Sequence, residues 1–310
     1  MISWKDRNFV YCSNGFASWA CSGAMIPTPI LHDESTIRIF AGFLDASGRS
    51  RIGYLDVCGK DPTRILDIGQ RPVLDIGQPG AFDDNGVVPI SLVRHGQELR
   101  LYYVGFQLRN DVPYTMLAGL AISTDEGKTF TRPSDSPLLP PIPGERYVRT
   151  APFVLKEGNT WKAWYIGGDS WITIAGKKLP TYSLKFLTSS DGLTWEGQGS
   201  VCLEPQQPDE FGFGRPWILY ENGKYCMFYS IRSRSNGYRL GYAESNDALQ
   251  WTRCDDQIGM DITREPWENE NICYTALLTT KNDVYLFYNG NNYGKTGFGY
   301  ARLDSWCKNS

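Results

Sequence analysis

Residues 216–229 read PWILYENGKYCMFY, and this stretch decides the fold. Two short runs of apolar and aromatic residues flank the polar turn Glu221-Asn222-Gly223, which is the pattern of a β-hairpin. Pro216 opens the first run, and proline is tolerated at the first residue of a strand. The second run ends on the aromatic pair Phe228-Tyr229. The stretch therefore predicts two antiparallel strands joined by a tight turn.

The same hairpin recurs along the chain at intervals of about sixty residues. The matching aromatic pairs are Tyr102-Tyr103, Trp164-Tyr165 and Phe287-Tyr288, and Ile39-Phe40 begins the series one unit earlier. A third strand follows each pair, as in Gly241-Tyr242-Ala243, and a fourth opens at an aromatic residue such as Trp195 or Trp251. Each unit is therefore predicted to be a four-stranded antiparallel sheet.

Five such units arranged radially predict an all-β chain folded as a five-bladed β-propeller with four-stranded antiparallel blades. The fifth unit stops near Trp306 after three strands, and Ser3-Trp4-Lys5 resembles the fourth-strand opening Thr194-Trp195-Glu196. We therefore expect residues near 3–11 to supply the missing outer strand and close the ring, because closure removes exposed sheet edges. Since no interdomain linker is visible, residues 1–310 are predicted to form a single domain.

Composition excludes several classes of protein. A net charge of -3 is not that of a nucleic-acid binder, and no run approaches the roughly 18 apolar residues of a membrane span. The 8 cysteines form no CxxC pair and only 2 histidines accompany them, so we expect no metal site and no cofactor. Free thiols and the lack of a signal peptide indicate a cytoplasmic protein, with a secreted mature form as the open alternative.

In a propeller, the start of each first strand and the loop after each second strand reach the central pocket on one face. The corresponding segments here are rich in carboxylates, arginines, amides and indoles, which together suit a sugar. The predicted catalytic residues are Asp84, Glu210 and Glu270. The predicted substrate-binding residues are Asp83, Glu145, Arg149, Asp169, Arg215, Arg232, Glu268 and Asn291.

Cleavage of a glycosidic bond needs one protonated and one ionised carboxyl group on opposite sides of the bond. Asp84 and Glu210 are the preferred pair because they come from different blades, Glu270 aligns with Asp84 in the repeat, and Glu145 is a rival for the acid. Arg149 and Arg215 fit either of two roles. They could bind an anionic group on the ligand, or they could brace the blades through internal ion pairs.

The five-fold repeat, the aromatic second strand and the Gly-Tyr-Ala motif followed by Ser-x-Asp-Gly-x-x-Trp together resemble a superfamily of five-bladed propeller glycosidases. It includes the β-fructosidase, arabinanase/β-xylosidase and mannoside phosphorylase families. The resemblance spans nearly the whole chain and implies an axial pocket with carboxylates at the inner ends of the first strands. The chain is a divergent member, because the fructosidase motifs Asn-Asp-Pro-Asn-Gly, Arg-Asp-Pro and Glu-Cys-Pro are absent and the first unit has no aspartate before Pro27.

The segment from Ser123 to Phe130 also matches the Asp-box of sialidases, but those are six-bladed, whereas five units are counted here. We therefore expect a carbohydrate-active, glycoside hydrolase-like enzyme that uses paired carboxylates on a saccharide or sugar conjugate. An anionic substrate or acceptor remains an open variant of this hypothesis. The alternatives are a glycoside phosphorylase or transferase, and a sugar-binding propeller without catalysis. No nucleic-acid or membrane partner is expected.

Overall fold

A computed structural model describes residues 1–306. These residues form nineteen β-strands, one four-residue α-helix (Asn291–Gly294) and one short 3-10 helix (Asp255–Gln257). The prediction of an all-β chain is therefore confirmed. No helix in this part of the chain is long and apolar enough to cross a membrane.

Consecutive strands pair antiparallel within five groups. The first group contains β2 (Ser22–Leu31), β3 (Thr36–Leu44), β4 (Ser50–Cys58) and β5 (Asp61–Ile68). The second contains β6 (Val87–His95), β7 (Glu98–Leu108) and β8 (Tyr114–Ser123). The third contains β9 (Val148–Glu157), β10 (Thr160–Ile174), β11 (Lys177–Ser189) and β12 (Ser200–Leu203). The fourth contains β13 (Glu210–Glu221), β14 (Lys224–Ser233), β15 (Gly237–Ser245) and β16 (Thr252–Arg253). The fifth contains β17 (Cys273–Thr279), β18 (Val284–Asn289), β19 (Phe298–Trp306) and the N-terminal β1 (Ile2–Tyr11).

The N-terminal strand has the position that the sequence predicts. β1 pairs antiparallel with β19, from Ile2 opposite Trp306 to Tyr11 opposite Phe298. The first strands of the groups also contact one another in cyclic order: β2 with β6, β6 with β9, β9 with β13, β13 with β17, and β17 with β2. The first strands of the five groups are therefore linked by contacts in one cycle.

The outermost strands are shorter than predicted. In the second group the expected fourth strand is reduced to two isolated bridges, Ala118 with Leu139 and Ile122 with Thr131. Pro133 follows two residues later, and proline cannot donate a ladder hydrogen bond. In the fourth group the outer strand contains only Thr252 and Arg253. These strands add little pairing, so the first three strands of each group carry most of its core.

A bulge interrupts the innermost strand in four of the five groups, directly before a proline in three of them. Ile26, Ala151, Arg215 and Tyr274 have positive φ values of 54°, 53°, 31° and 59°. The antiparallel register shifts next to each of them. Positive φ is costly for a residue with a side chain, and bulges re-aim side chains beside functional sites. The distortion therefore recurs in the first strands of these four groups.

The aromatic pairs of the second strands lie in the core, as predicted. Tyr102, Tyr165, Tyr229 and Tyr288 are among the largest fully buried side chains. The glycine of the third strand makes room for the second-strand tyrosine, since a Cβ on Gly241 would lie 2.6 Å from the ring of Tyr229. This contact explains why glycine recurs in the Gly-Tyr-Ala motif.

The polar turns between third and fourth strands are structural, as expected. Asp191 accepts hydrogen bonds from the backbone of Leu193 and Thr194, both at 2.8 Å, and from Ser189 Oγ at 2.9 Å. Asp125 and Asp247 are held by the same kind of bonds in their own turns. All cysteines before residue 307 are free thiols, as predicted, and Cys307 lies outside the described residues.

Candidate functional site

A carboxylate accepts a hydrogen bond from the second tyrosine of the aromatic pair in four of the five groups, and a cation lies beside it; the carboxylate is buried in three of these groups and half-buried in the fourth. In the second group, Tyr103 donates to Asp83 Oδ2 at 2.8 Å and Arg132 Nε donates to the same oxygen at 2.8 Å. Asp83 is almost fully buried, and its Oδ1 has no hydrogen-bond partner among the described residues. Asp83 therefore forms an ion pair within its own group.

The third group has the most enclosed of these clusters. Glu145 is fully buried, with Lys185 Nζ 2.7 Å from its Oε1 and Arg149 Nε 2.9 Å from its Oε2. Tyr165 donates to the carboxylate at 3.0–3.1 Å. Arg149 also donates to the carbonyl oxygens of Pro140 and Gly197. Two cations and a hydroxyl therefore surround one carboxylate that has no access to water.

The fifth group repeats the arrangement with a residue from the N-terminal strand. Glu268 Oε2 accepts from Arg7 Nη2 and from Tyr288, each at 2.6 Å, and its Oε1 accepts from Thr263 at 2.7 Å. Burial and the neighbouring carboxylate raise the pKa of Tyr288 above its usual value. Its hydroxyl therefore remains a proton donor at neutral pH, and this cluster fastens β1 to the last group.

In the fourth group the tyrosine hydroxyl binds Asp255 and not Glu210, the residue of this group that is predicted to be catalytic. Tyr229 donates to Asp255 at 2.7 Å. Arg253 bridges the two acids, with Nε 2.9 Å from Asp255 and its two Nη atoms 2.6 and 2.9 Å from Glu210. Although desolvation opposes ionisation, the Arg253 hydrogen bonds hold the pKa of Glu210 below its usual value. Such a carboxylate suits an ion pair better than a proton-donating acid.

Two of the three predicted catalytic residues have no cation partner within residues 1–306. Asp84 is half-buried, and its Oδ2 accepts from the Gly80 backbone at 2.8 Å. Glu270 is exposed, and only its backbone is fixed by hydrogen bonds. Asp169, predicted to bind substrate, instead accepts from the backbone and Nε of Arg146 at 2.5 and 2.8 Å.

Arg215 is a brace between the groups. Its Nη1 donates to the carbonyl oxygens of Pro27 at 2.7 Å and Tyr274 at 3.0 Å. Its Nη2 donates to Thr28 Oγ1 at 2.8 Å and to the Ile90 carbonyl oxygen at 3.0 Å. These acceptors belong to the first, second and fifth groups, whereas Arg215 itself belongs to the fourth. Burial lowers its pKa from the usual value, as expected for a cation withdrawn from water.

A cavity of about 180 Å³ lies where the starts of β13 and β15, the β10–β11 hairpin and the loop after β18 meet. Its lining residues are Ile174, Leu179, Phe211, Ser233, Gly237, Tyr238, Asn271, Asn292 and Tyr293. The lining combines aromatic rings, a hydroxyl group and two amides, and it contains no carboxylate. This volume is below the roughly 300–1,000 Å³ typical of drug-sized ligands, so the cavity suits a small unit such as one sugar ring.

Arg232, a predicted substrate-binding residue, lies directly behind this lining. Its guanidinium carbon is 4.4 Å from the ring centre of Phe211, 4.9 Å from that of Tyr182 and 5.7 Å from that of Tyr238. Its Nη1 donates to the carbonyl oxygen of Pro180 at 2.8 Å. The arginine is 3% exposed, so its charge is withdrawn from water behind two of the cavity's aromatic walls.

Tyrosine hydroxyls and a strained loop complete this part of the site. Tyr274 donates to the Tyr238 hydroxyl at 3.4 Å, and burial raises the pKa values of both well above the usual value. Both are therefore neutral at physiological pH. Asn292 and Tyr293 have positive φ values of 52° and 61°, and Tyr293 is 48% exposed. Consecutive residues in this conformation store strain, which is typical of binding loops.

A rim of half-exposed aromatic residues lies on the neighbouring loops. The ring of Trp171 on the β10–β11 hairpin is 5.4 Å from that of Tyr114 and 6.2 Å from that of Tyr147. Tyr114 also interacts electrostatically with Arg232 and Tyr293, which places it beside the cavity. Flat aromatic faces of this kind can cover the apolar face of a sugar ring.

Asn291 supports the cavity from behind. Its Oδ1 accepts from the backbone of Glu270 and Asn271 at 2.9 Å, and its Nδ2 donates to Pro266 and Asn269. Asn291 therefore positions the cavity residue Asn271. The sequence instead predicts that Asn291 contacts the substrate directly.

Sequence reasoning missed Phe211, Tyr238 and Tyr293. Phe211 lies within a segment selected for its charges, and Tyr238 lies at the start of a third strand, beyond the segments that the repeat assigns to the pocket. No group of three or more metal-binding side chains occurs in the part of the chain that the structure describes.

The BNR repeat-like domain family matches residues 69–303. An uncharacterized protein of Mycobacterium tuberculosis is 30% identical over 304 residues, which cover 98% of this chain and 100% of that protein. A solved structure named as a glycoside hydrolase covers 100% of this chain and 94% of its own, with a TM-score of 0.73 and 16% identity. A thermostable family-43 glycoside hydrolase covers 91% and 89%, with a TM-score of 0.65 and 16% identity. At this identity the likeness to solved structures shows the fold, that of the β-propeller glycoside hydrolases.

Proposed function

The chain belongs to the BNR repeat-like domain family, and on that premise we propose that it is a single five-bladed, glycoside hydrolase-like β-propeller that binds a saccharide. The cyclic contacts of the five first strands and the pairing of β1 with β19 support a closed ring of five blades. The cavity lies on the face where the first strands begin, because Phe211 is at the start of β13 and Asn271 lies just before β17.

The observation that carries the saccharide proposal is the chemistry of this cavity. Phe211, Tyr238 and Tyr293 offer aromatic faces, while Ser233 and the amides of Asn271 and Asn292 can bind hydroxyl groups. Asn271 Oδ1 already accepts from the Tyr238 backbone at 2.6 Å, which leaves its amide nitrogen to donate to a ligand. Apolar walls with a few fixed polar groups are the usual form of a small-molecule site.

Binding can be tested with a panel of mono- and oligosaccharides, read by thermal shift and titration calorimetry. Tyr293→Asn removes the aromatic ring and keeps a residue that tolerates positive φ. Tyr220→Asn is the control, because Tyr220 is exposed to 45% and lies at the far end of β13. We expect the first variant to weaken binding about tenfold and the control to leave it unchanged. Equal affinities in both variants and the wild type would place the ligand elsewhere.

Cleavage of a glycosidic bond is the second candidate function, favoured by the two predicted catalytic carboxylates that have no cation partner, Asp84 and Glu270. Glu210, held by Arg253, is then a brace. Aryl glycosides with and without phosphate would test hydrolysis against phosphorolysis. If the enzyme hypothesis is right, Asp84→Asn and Glu270→Gln abolish turnover and leave the fold unchanged. If no glycoside is cleaved but a sugar still binds, the chain is a binding protein.

A further inference from the structure

Arg232 differs from the other buried arginines. Five arginines among the described residues are buried, namely Arg38, Arg100, Arg149, Arg215 and Arg232. The first three each form an ion pair with a carboxylate. Arg215 has no carboxylate but gives four hydrogen bonds from its Nη atoms. Arg232 has neither an ion pair within residues 1–306 nor a set of acceptors comparable to that of Arg215, and its Nε, like that of Arg215, is buried without a hydrogen-bond partner.

The surroundings of Arg232 compensate its charge only in part. Aromatic rings at 4.4–5.7 Å provide a cation–π attraction, which is weaker than an ion pair with a carboxylate. Burial raises the pKa values of Tyr182 and Tyr238, so neither is ionised at neutral pH. Burial of a cation without a counter-ion is costly, and such a charge attracts anions.

This charge lies beside the cavity that the proposed function assigns to a saccharide. Phe211 and Tyr238 are both cavity walls and neighbours of the guanidinium group, and Ser233 in the lining follows Arg232 directly in the chain. The cavity lining contains no carboxylate that would repel an anion. A neutral sugar would leave the arginine uncompensated, whereas an acidic sugar would supply its counter-ion.

We propose that the saccharide is acidic and that its anionic group is attracted by the positive charge of Arg232, which lies behind Phe211 and Tyr238. This inference rests on the proposed saccharide site and adds the chemical class of the ligand. A uronic acid, which carries one carboxylate on a sugar ring, is the simplest such ligand. Its neutral counterpart differs only at that carboxylate, so a matched pair of sugars isolates the contribution of Arg232.

The test is titration calorimetry with two matched pairs, D-galacturonate against D-galactose and D-glucuronate against D-glucose. At least one acid is expected to bind about tenfold tighter than its neutral partner, because a buried positive charge attracts an anion strongly where little water screens it. Arg232→Gln should remove that preference. Arg94→Gln removes the same charge from an exposed ion pair with Glu126 and should keep it.

Salt provides a second readout that needs no variant. Raising the salt concentration from about 50 mM to about 500 mM should weaken binding of the acid and leave the neutral sugar unaffected. The inference is overturned if a neutral sugar binds as tightly as its acid, if Arg232→Gln keeps the preference, or if inorganic phosphate alone binds as tightly as the acid. Binding of both partners with equal affinity leaves the proposed saccharide site standing, whereas no binding of any sugar overturns both.

Discussion

Glu145 offers the sharpest test of whether the predicted site carboxylates are structural. The substitution Glu145→Gln keeps the size of the side chain and removes its charge. Arg149 and Lys185 would then be left as two buried cations without their counter-ion. Removal of one partner from a buried ion pair typically costs about 3–5 kcal/mol. We expect a loss in this range, because Glu145 is 0% exposed and Arg149 is 1% exposed.

The assay is urea unfolding followed by tryptophan fluorescence and circular dichroism. Glu270→Gln is the matched control, since the same change at an exposed carboxylate without a cation partner should alter stability by less than about 0.5 kcal/mol. If Glu145 instead binds substrate, Glu145→Gln weakens sugar binding and leaves the free energy of unfolding nearly unchanged. A loss below about 1 kcal/mol, or a larger effect at Glu270, would refute the structural role.

Three further predictions concern the fold. Arg215→Met leaves four acceptors without their donor, and we expect a loss of at least about 4 kcal/mol in urea unfolding, because each unsatisfied group costs about 1–3 kcal/mol. Gly192→Ala should lower the midpoint of thermal unfolding, because Gly192 has φ of 71° and the new Cβ would lie 2.6 Å from the Trp161 ring. The expected loss in the free energy of unfolding is about 2 kcal/mol. Backbone hydrogen bonds lower the pKa of Asp191 to about 2, below its value in the unfolded chain, so its stabilising effect is present above about pH 4 and is lost as the pH falls towards about 2.

Each of these has a result that would contradict it. An Arg215→Met variant as stable as the wild type would show that Arg215 does not brace the groups. A Gly192→Ala variant with an unchanged midpoint would mean that this turn tolerates a side chain. Asp191→Asn should flatten the dependence of stability on pH between about 4 and 2, and an unchanged slope would exclude a contribution from this carboxylate.

The repeat was readable from the sequence because it depends on local signals. The turn predicted at Glu221-Asn222-Gly223 separates β13, which ends at Glu221, from β14, which begins at Lys224. Two short apolar runs and the polar turn between them determine such a hairpin without help from distant parts of the chain. The same reasoning located the N-terminal outer strand, because Trp4 follows the pattern of the other fourth strands.

The sequence does not predict in the same way whether each site carboxylate is free or held in an ion pair. A glutamate at the start of a first strand looks the same in the sequence whether it is free or paired. Glu145 is paired with Lys185, 40 residues along the chain, and Glu268 with Arg7, 261 residues away. The cavity also depends on residues that are far apart in the chain, because Phe211, Asn271 and Tyr293 come from three separate strands and loops. Only the packing of the groups determines which of these residues meet.

A crystal structure of the protein with the saccharide that binds best in the panel tests the central claim most directly. The account predicts a sugar ring in the cavity, against Tyr238 and Tyr293 and within hydrogen-bond distance of Asn271, with Glu145 and Glu268 still in their ion pairs. A sugar bound elsewhere, with this cavity empty, would contradict it. A sugar bound directly to Glu145 or Glu268 after their ion pairs open would contradict it as well.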